Sequence, residues 1–371
     1  MNGAGKNLVR LLCASGLIML AAAALNFAVD PLQVFRPARF FGAMYSPDSR
    51  MQNAGLIRSQ DFDTVFMGTS LAIHFRQSDI DRLLGVKSLK LAMTGSNSHE
   101  QSFVLGAALE RRGSRVIWEM DDWIFADAPD IDRDPYIPAN LYRRNAKGLA
   151  GYLFSGAMAR ESLWMLARGF KPVQTAAALL DIEGLVKFSL SRVEDINTVR
   201  PDFDVSAAYN AKAALSAFAR ITDPVRSLYL AEGYNYDAMV KNFERDAFDL
   251  IARHPDVQFD IYLPPYSILQ WVAMRDASPA TLKIVYDLSG HIARRLAQLP
   301  NARLHDFRAV KQVTHHLNNY ADVIHHSPAV DLKILSWLAA GNYVVDRAAP
   351  EVSLQRLKAQ VTTYRVGEFA D

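Results

Sequence analysis

Short apolar runs alternate along the chain with longer segments in which apolar residues recur every three or four positions. Five of the runs have the length and composition of buried strands, at 64–67, 88–93, 115–120, 257–263 and 302–307. The periodic segments predict helices at 71–84, 100–112, 238–253, 280–299 and 329–340. Strands and helices in this alternation form βαβ units, so the pattern predicts an α/β fold with a parallel sheet and right-handed crossovers.

The alternation is interrupted in the middle of the chain. Residues 127–138 are acidic and contain proline, which is typical of a loop, whereas 141–219 carry Leu, Ala, Met and Trp at helical spacing. We interpret about 127–235 as a helical insertion, able to shape a substrate groove, within an α/β domain that spans 61–345. The flanking segments are an extended, proline-bearing connector and a C-terminal tail, at 30–60 and 346–371.

The N-terminal segment 1–29 has a different pattern, because its last nineteen positions are uncharged and mostly apolar. That length is just sufficient for a helix to cross a bilayer. Lys6 and Arg10 precede the apolar run and Asp30 follows it, which predicts a single-pass anchor with the N-terminus inside. A cleaved signal peptide is the alternative, since the alanines at 21–24 offer a small-residue cleavage site. The apolar run continues past those alanines, which favours an uncleaved anchor.

The composition and charge of the chain exclude some classes of function. The 371 residues include 41 basic and 39 acidic ones, giving a formal charge of +2, and no basic run is interleaved with aromatic residues. Nucleic-acid binding is therefore not expected. The single cysteine, Cys13, lies within the apolar N-terminal segment. The rest of the chain can therefore form no internal disulfide and carry out no thiolate chemistry.

A serine stands at the turn between the first predicted strand and the first predicted helix, in the sequence Gly68-Thr69-Ser70. At that position its hydroxyl projects beyond the carboxyl edge of the sheet, where open α/β folds place their sites. The free N–H groups of the helix start are beside it and can stabilise an oxyanion. The alternative is that Ser70 only caps the helix, a common role for serine.

An acid and a base occur together near the other end of the domain, as Asp322 and His325 in the spacing D-x-x-H. A serine nucleophile needs a base within hydrogen-bond reach and an acid that orients the base. We expect these two residues to converge on Ser70. A separation of less than about 3.5 Å between the Ser70 hydroxyl and a His325 ring nitrogen favours an enzyme, and more than about 6 Å favours a non-catalytic protein.

These two blocks resemble those of the SGNH (GDSL-type) hydrolase superfamily, in which a Ser block opens the domain and a D-x-x-H block closes it. The stretches FMGTS, TGSNSHEQ, YLPPYSILQW and YADVIHHSP are similar to a membrane-anchored, exported subgroup of bacterial envelopes. The resemblance implies a three-layer, flavodoxin-like domain and a catalytic triad. In that triad Ser70 is the nucleophile, His325 the base and Asp322 its orienter. It also implies that the N–H of Gly95 joins that of Ser70 in the oxyanion hole.

The chain departs from the family in its third block, a Gly-x-Asn-Asp for which Glu119-Met120-Asp121-Asp122 stands here. Asn97 is a candidate for the missing amide donor, with an Asx turn as its alternative role. The loss of one oxyanion donor can cost roughly 10²–10³ in kcat. Two hypotheses follow: an exported serine esterase or O-acyltransferase acting on an envelope or secreted polysaccharide, or an inactive relative that binds glycan or scaffolds polysaccharide assembly.

No cofactor and no metal are expected. The histidine doublets at 315–316 and 325–326 are the strongest metal candidates, but adjacent side chains on an extended segment point to opposite faces, so a doublet rarely binds one metal ion.

The expected partners are an acyl-ester or polysaccharide substrate, the bacterial inner membrane and other polysaccharide-modifying membrane proteins. The domain is expected to face the periplasm or cell exterior. Four further residues could line or support the cleft around Ser70, and their alternative roles are packing or loop capping: His74, Asp121, Asp122 and Tyr266.

Overall fold

The computed structural model describes residues 3–38, 49–126, 137–143, 145–169, 209–223 and 233–367. The chain divides into two compact units. The N-terminal unit comprises Met1–Asp61 and Pro135–Ile196, and the sheet unit comprises Phe62–Asp134 and Asn197–Asp371. The predicted serine, histidine and aspartate all belong to the sheet unit.

The sheet unit is built on five parallel strands, as the alternating pattern predicts. The strands are β1 (Thr64–Met67), β2 (Ser88–Lys90), β3 (Arg115–Glu119), β4 (Gln258–Leu263) and β5 (Ala302–Asp306), in the spatial order β2-β1-β3-β4-β5. The order reverses between β1 and β3, and in open α/β sheets the crevice outside the carboxyl ends at such a point is the usual place for a site. The prediction of at least four parallel strands in one sheet is therefore confirmed.

Burial on both faces explains why these strands are continuous apolar runs rather than alternating ones. Val65 and Phe66 in β1 and Ile117 in β3 are all 0% exposed. Asp260 is the charged exception in β4. Its two carboxylate oxygens each accept a hydrogen bond of 2.7 Å, one from Arg115 and one from Arg303 on the neighbouring strands. The buried charge is therefore paired on both sides.

The predicted helix at 71–84 is wrong as a single element, because the structure contains two helices, Ser70–Ile73 and Gln77–Leu84. The break between them frees backbone carbonyl groups. The Lys90 ammonium group donates to the carbonyl oxygens of Ile73 and Phe75 at 2.6 and 2.7 Å, which stabilises the break. A single helix was predicted because the side chain that stabilises the break, Lys90, belongs to β2 and not to the helical segment itself.

The remaining helices of the sheet unit surround this core, and three of them were not predicted, including the short helix Lys311–Thr314. Helix Ile268–Ala277 follows β4, and helix Val352–Thr363 lies in the predicted tail and buries Leu354, Leu357 and Val361. The predicted helix at 238–253 is one helical stretch over 236–253, with a π-helical segment at Glu244–Phe248. The others are Ser98–Leu109, Ala211–Ile221, Pro279–Leu296 and Pro328–Ala340.

The N-terminal unit is helical in its described parts. Helix Gly3–Val29 is long and apolar enough to cross a membrane, with a mean hydropathy of 2.2. Residues 49–59, expected to be extended, instead form helix Ser49–Ser59, which packs closely enough that a Cβ on Gly55 would meet the carbonyl oxygen of Leu32. The unit also contains helices Ala139–Tyr142, Ala146–Leu153 and Gly156–Gly169. Within the predicted insertion at about 127–235, residues 127–136, 144, 170–208 and 224–232 lie outside the described residues.

Candidate active site

The turn after β1 is shaped by a glycine. A Cβ on Gly68 would lie 2.5 Å from a Glu119 carboxyl oxygen and 2.7 Å from the Cβ atoms of Glu119 and Ala72. These are closer approaches than real side chains make, so the turn requires glycine to bring the helix start against β3. The strand-to-helix turn therefore has a steric reason for its Gly-x-Ser sequence.

Thr69, rather than Ser70, caps the helix that follows. Thr69 is the N-cap, and its hydroxyl accepts from the N–H of Leu71 at 3.4 Å. Its own N–H donates to Glu119 at 2.7 Å, which fixes the turn to the end of β3. The alternative that Ser70 is the N-cap is therefore wrong. Ser70 is the first helical residue, and its side chain is left for another partner.

That partner is His325, which lies 255 positions away in the sequence. The Ser70 Oγ is 3.1 Å from the His325 Nε2, inside the separation that favours an enzyme. The His325 Nδ1 is 2.6 Å from the Asp322 Oδ2 on the opposite side of the ring. The Asp322 carboxylate accepts the Nδ1 proton, which leaves the Nε2 lone pair facing the serine hydroxyl. The structure thus joins all three predicted residues by hydrogen bonds.

The loop before helix Pro328–Ala340 holds the acid and the base in place. The second oxygen of Asp322 accepts the N–H groups of Ile324 and His325, at 2.8 and 2.7 Å. Burial acts to raise the pKa of Asp322, but the hydrogen bond and charge of His325 together with these two N–H groups outweigh it. The pKa of this carboxyl is therefore lowered from its ordinary value. Asp322 stays ionised and can orient the imidazole throughout the neutral range.

Two carboxyl groups lie beneath the serine turn. The Thr69 hydroxyl is 2.9 Å from Glu119 and 3.1 Å from Asp121, and both acids are buried. Burial and repulsion from Asp121 raise the pKa of Glu119 well above its ordinary value. Burial also raises the pKa of Asp121, against the hydrogen bonds that it accepts. We assign the shared proton of the pair to Glu119, so that one negative charge, rather than two, lies under the turn.

Asp122, the third acidic residue of this stretch, lines a small cavity at the carboxyl ends of β3 and β4 together with Asp121 and Tyr266. Tyr266 donates a short hydrogen bond to Asp121, and Tyr234 is 3.5 Å from Asp122. Tyr266 is only 4% exposed, so its ring belongs to the core and is not an open platform. Asp122 as a whole residue is partly exposed, but protein encloses its carboxyl group, and burial with repulsion from Asp121 raises its pKa to about 7.

The two predicted oxyanion residues lie in the loop after β2, the strand next to β1. The N–H of Met93 donates to the carbonyl of Gly68 at 2.9 Å, so this loop leaves the sheet beside the serine turn. Gly95 is exposed and has φ +61, a left-handed conformation that favours glycine. Asn97 forms a capping box, in which its carbonyl oxygen accepts the N–H of Glu100 at 2.9 Å. Asn97 is therefore the N-cap of helix Ser98–Leu109, which is neither the predicted oxyanion donor role nor the Asx turn given as its alternative.

His74 and the second histidine of the 325–326 doublet are drawn into the core. His74 and His326 are 2% and 1% exposed, and both approach the buried Asp331 of helix Pro328–Ala340. Donor atoms of these three residues lie within 4.8 Å of one another, which is a spacing that could hold a metal ion. No local pattern in the sequence indicated this cluster, because its members are separated by up to 257 positions.

The arrangement can activate a hydroxyl for attack on an acyl group, since it combines a serine, a base with its acceptor nitrogen toward that serine, and an ionised acid behind the base. Sequence reasoning found these three residues from their position in the chain. It missed the supporting roles of Thr69 and Glu119. Only the excess of acids at the end of β3 could have indicated them. No family model matches the chain, and no curated protein matches it.

Proposed function

We propose that the protein is a membrane-anchored, exported serine esterase or O-acyltransferase that acts on an acyl ester of an envelope or secreted polysaccharide. One observation carries the proposal: the Ser70 Oγ is 3.1 Å from His325 Nε2, while His325 Nδ1 is 2.6 Å from Asp322. Three residues from opposite ends of one domain make the contacts in the order that acyl transfer requires. The polymer and the export direction rest on the resemblance to the envelope subgroup.

Three further observations support placing the chain among SGNH-like hydrolases. The strand order β2-β1-β3-β4-β5 is that of flavodoxin-like doubly wound sheets. The serine follows the first strand, and the D-x-x-H pair precedes helix Pro328–Ala340. The helix Gly3–Val29 has the length and composition of a membrane span. We propose the three-layer form on this resemblance, and the helical insertion at about 127–235 on the helical spacing of apolar residues there.

The proposed reaction begins with attack of the Ser70 Oγ on the ester carbonyl carbon, as the hydroxyl proton passes to His325 Nε2. Asp322 stabilises the imidazolium that forms. The tetrahedral oxyanion then collapses, the bond to the leaving alcohol breaks, and His325 returns its proton to that alcohol. Water or a sugar hydroxyl next attacks the acyl carbon of the acyl-serine as His325 Nε2 takes its proton. The second tetrahedral oxyanion then collapses, the bond between the acyl carbon and the Ser70 Oγ breaks, and His325 returns the proton to the Ser70 Oγ. Hydrolysis and transfer share the acyl-serine and differ only in this second nucleophile.

Labelling of the full-length protein with a fluorophosphonate probe tests the proposal, because the probe reacts with activated serines. We expect wild type to be labelled once, and Ser70→Ala to lose labelling and nearly all ester hydrolysis or transfer while it folds normally. Ser336→Ala is the matched control, since Ser336 is an exposed serine that bonds only its own helix. Normal activity in Ser70→Ala would exclude the serine mechanism. An unlabelled but folded wild type would favour the inactive glycan-binding or scaffolding alternative.

A further inference from the structure

A buried cluster outside the proposed triad joins the two segments that carry it. Asp331 lies on the first turn of helix Pro328–Ala340 and is 4% exposed. One of its oxygens is 2.9 Å from the Nδ1 of His74, and the other is 3.1 Å from the Nδ1 of His326. The two imidazole rings meet edge to face, with their centroids 5.4 Å apart. One carboxylate thus holds two histidines that come from distant parts of the chain.

The two histidines of the cluster lie next to the proposed nucleophile and the proposed base. His74 is the C-cap of helix Ser70–Ile73, one turn after the proposed nucleophile. His326 is adjacent to the proposed base. Other hydrogen bonds tie the base loop to different segments: the Tyr320 hydroxyl donates to the Pro265 carbonyl at 2.6 Å, and the N–H groups of Ser267 and Asn210 donate to the loop carbonyls of Val323 and Tyr320, each at 3.1 Å. The carboxylate of Asp331 connects the loop to the helix of the serine itself.

We propose that Asp331 is a positioning residue for the Ser70–His325 pair. Its carboxylate fixes His74 and His326, and through them it sets the distance between the serine hydroxyl and the base. The inference rests on the proposed function. A displacement of about 1 Å between reacting groups can cost on the order of 10²-fold in rate, so a buried tie between the two segments has a direct effect on reactivity.

The same residue types could also bind Zn²⁺, which accepts histidine nitrogen and carboxylate oxygen. Structural zinc sites have four protein ligands, and the cluster in the described part of the chain has three. All three side chains are also buried, which leaves little access for a water ligand. One oxygen of Asp331 forms a hydrogen bond with the Nδ1 of His74 at 2.9 Å, which needs no metal. The other oxygen and the Nδ1 of His326 are 3.1 Å apart but do not have the geometry of a hydrogen bond, so this contact is one of charge and packing. We therefore assign the cluster a positioning role through these two contacts rather than a zinc site.

The test compares two substitutions of His74 in the full-length protein. His74→Asn places an amide N–H where the ring Nδ1 was, whereas His74→Leu fills more of the space but removes the donor. We expect His74→Leu to react with a fluorophosphonate about 10²-fold more slowly than wild type, with His74→Asn retaining most of the rate. A packing role predicts the opposite order, because Asn leaves the larger cavity. His291→Leu is the control, since its partner is Glu244, outside the cluster.

Crystal structures of the variants separate this inference from the proposed function. We expect the Ser70 Oγ to His325 Nε2 distance to lengthen from 3.1 Å in His74→Leu, whether or not wild type is labelled. An unchanged distance, or a stoichiometric zinc ion found in wild type, would overturn the positioning role. Asp331→Asn replaces one acceptor oxygen with a donor facing an imidazole nitrogen. If His74→Leu fails to fold, the labelling rate and the Ser70–His325 distance can be measured in Asp331→Asn instead.

Discussion

At the scale of single residues, the proposed chemistry depends on which imidazole nitrogen faces the serine. Asp322 is ionised and accepts from the Nδ1 of His325, so the Nε2 is left to accept the Ser70 proton. Two backbone N–H groups hold the same carboxylate, which keeps its orientation independent of substrate. The tautomer is therefore set by a loop of only a few residues.

Asp322→Asn tests this tautomer directly. The amide can donate to the ring and so favours the tautomer whose proton lies on Nε2, which cannot accept from Ser70. We expect the fold to survive and kcat to fall by up to ~10⁴, a loss of the size known for this change in serine proteases. Ester hydrolysis or transfer by the purified protein measures it. A loss of less than tenfold would mean that Asp322 only shapes the loop.

A second residue-scale prediction concerns the carboxyl pair under the serine turn. Because the pKa of Glu119 is raised, the folded protein holds a proton that the unfolded chain releases above about pH 4.3. Stability therefore falls as pH rises from there through the raised pKa of the folded state. Glu119→Gln mimics the protonated acid, and its carbonyl oxygen can still accept from Thr69.

Thermal unfolding as a function of pH measures the effect of Glu119→Gln. We expect the variant to match wild type near pH 4 and to become increasingly more stable than wild type as pH rises. Asp122→Asn offers a comparison, since the pKa of Asp122 is raised only to about 7 and its effect should level off above that pH. Parallel curves for wild type and Glu119→Gln would show that Glu119 is ionised in the folded protein.

At the scale of secondary-structure elements, a close contact joins the turn after β1 to the end of β3. A Cβ at Gly68 would overlap Glu119, so Gly68→Ala must push the serine helix away from the sheet. We expect a loss of about 1–3 kcal/mol of stability, the usual cost of overpacking. We also expect a disproportionate loss of fluorophosphonate reactivity, because Ser70 moves with the turn.

Gly106→Ala provides the matched control for this substitution. Gly106 lies within helix Ser98–Leu109, and a Cβ there would meet nothing within 4 Å. We expect its stability to rise by up to ~1 kcal/mol, since alanine favours the helix, with reactivity unchanged. If both alanine variants behaved alike, the close contact at Gly68 would not control the serine.

At the scale of the whole molecule, the N-terminal helix is part of a folded unit and not only an apolar span. Asn26 in its last turns is 0% exposed, and its amide donates to the carbonyls of Leu153 and Ser155 at 2.8 and 3.1 Å. Its carbonyl oxygen accepts from Ser162 at 3.0 Å. These bonds belong to the N-terminal unit and give the end of the helix a structural role.

We expect the full chain of 41.4 kDa to remain in the membrane fraction after carbonate extraction, without cleavage near the alanines at 21–24. Protease added to intact spheroplasts should degrade the chain after about residue 30, because the basic residues before the span keep only the N-terminus inside. Immunoblotting of both fractions measures the two outcomes. A protected domain would place it in the cytoplasm, and a shortened soluble form would indicate a signal peptide.

The sequence by itself determined the strands, the type of fold and the triad candidates. Strand β1 is an apolar run between Asp63 and Gly68, so the run at 64–67 was correctly bounded from local composition alone. The serine and the D-x-x-H pair could be found because their positions after a strand and before a helix are local properties. What a residue contributes through its immediate neighbours in the chain is visible in the sequence.

Only the tertiary structure decided what depends on distant partners. The helix after Ser70 ends early because Lys90, from the next strand, donates to the carbonyl oxygen of Ile73, its last residue. The helix at 352–363 was missed although Leu354, Leu357 and Val361 recur at helical spacing and are buried. His74, His326 and Asp331 also meet across up to 257 positions. Packing against the rest of the molecule supplies energies that local propensity lacks, and no pattern in a single sequence encodes them.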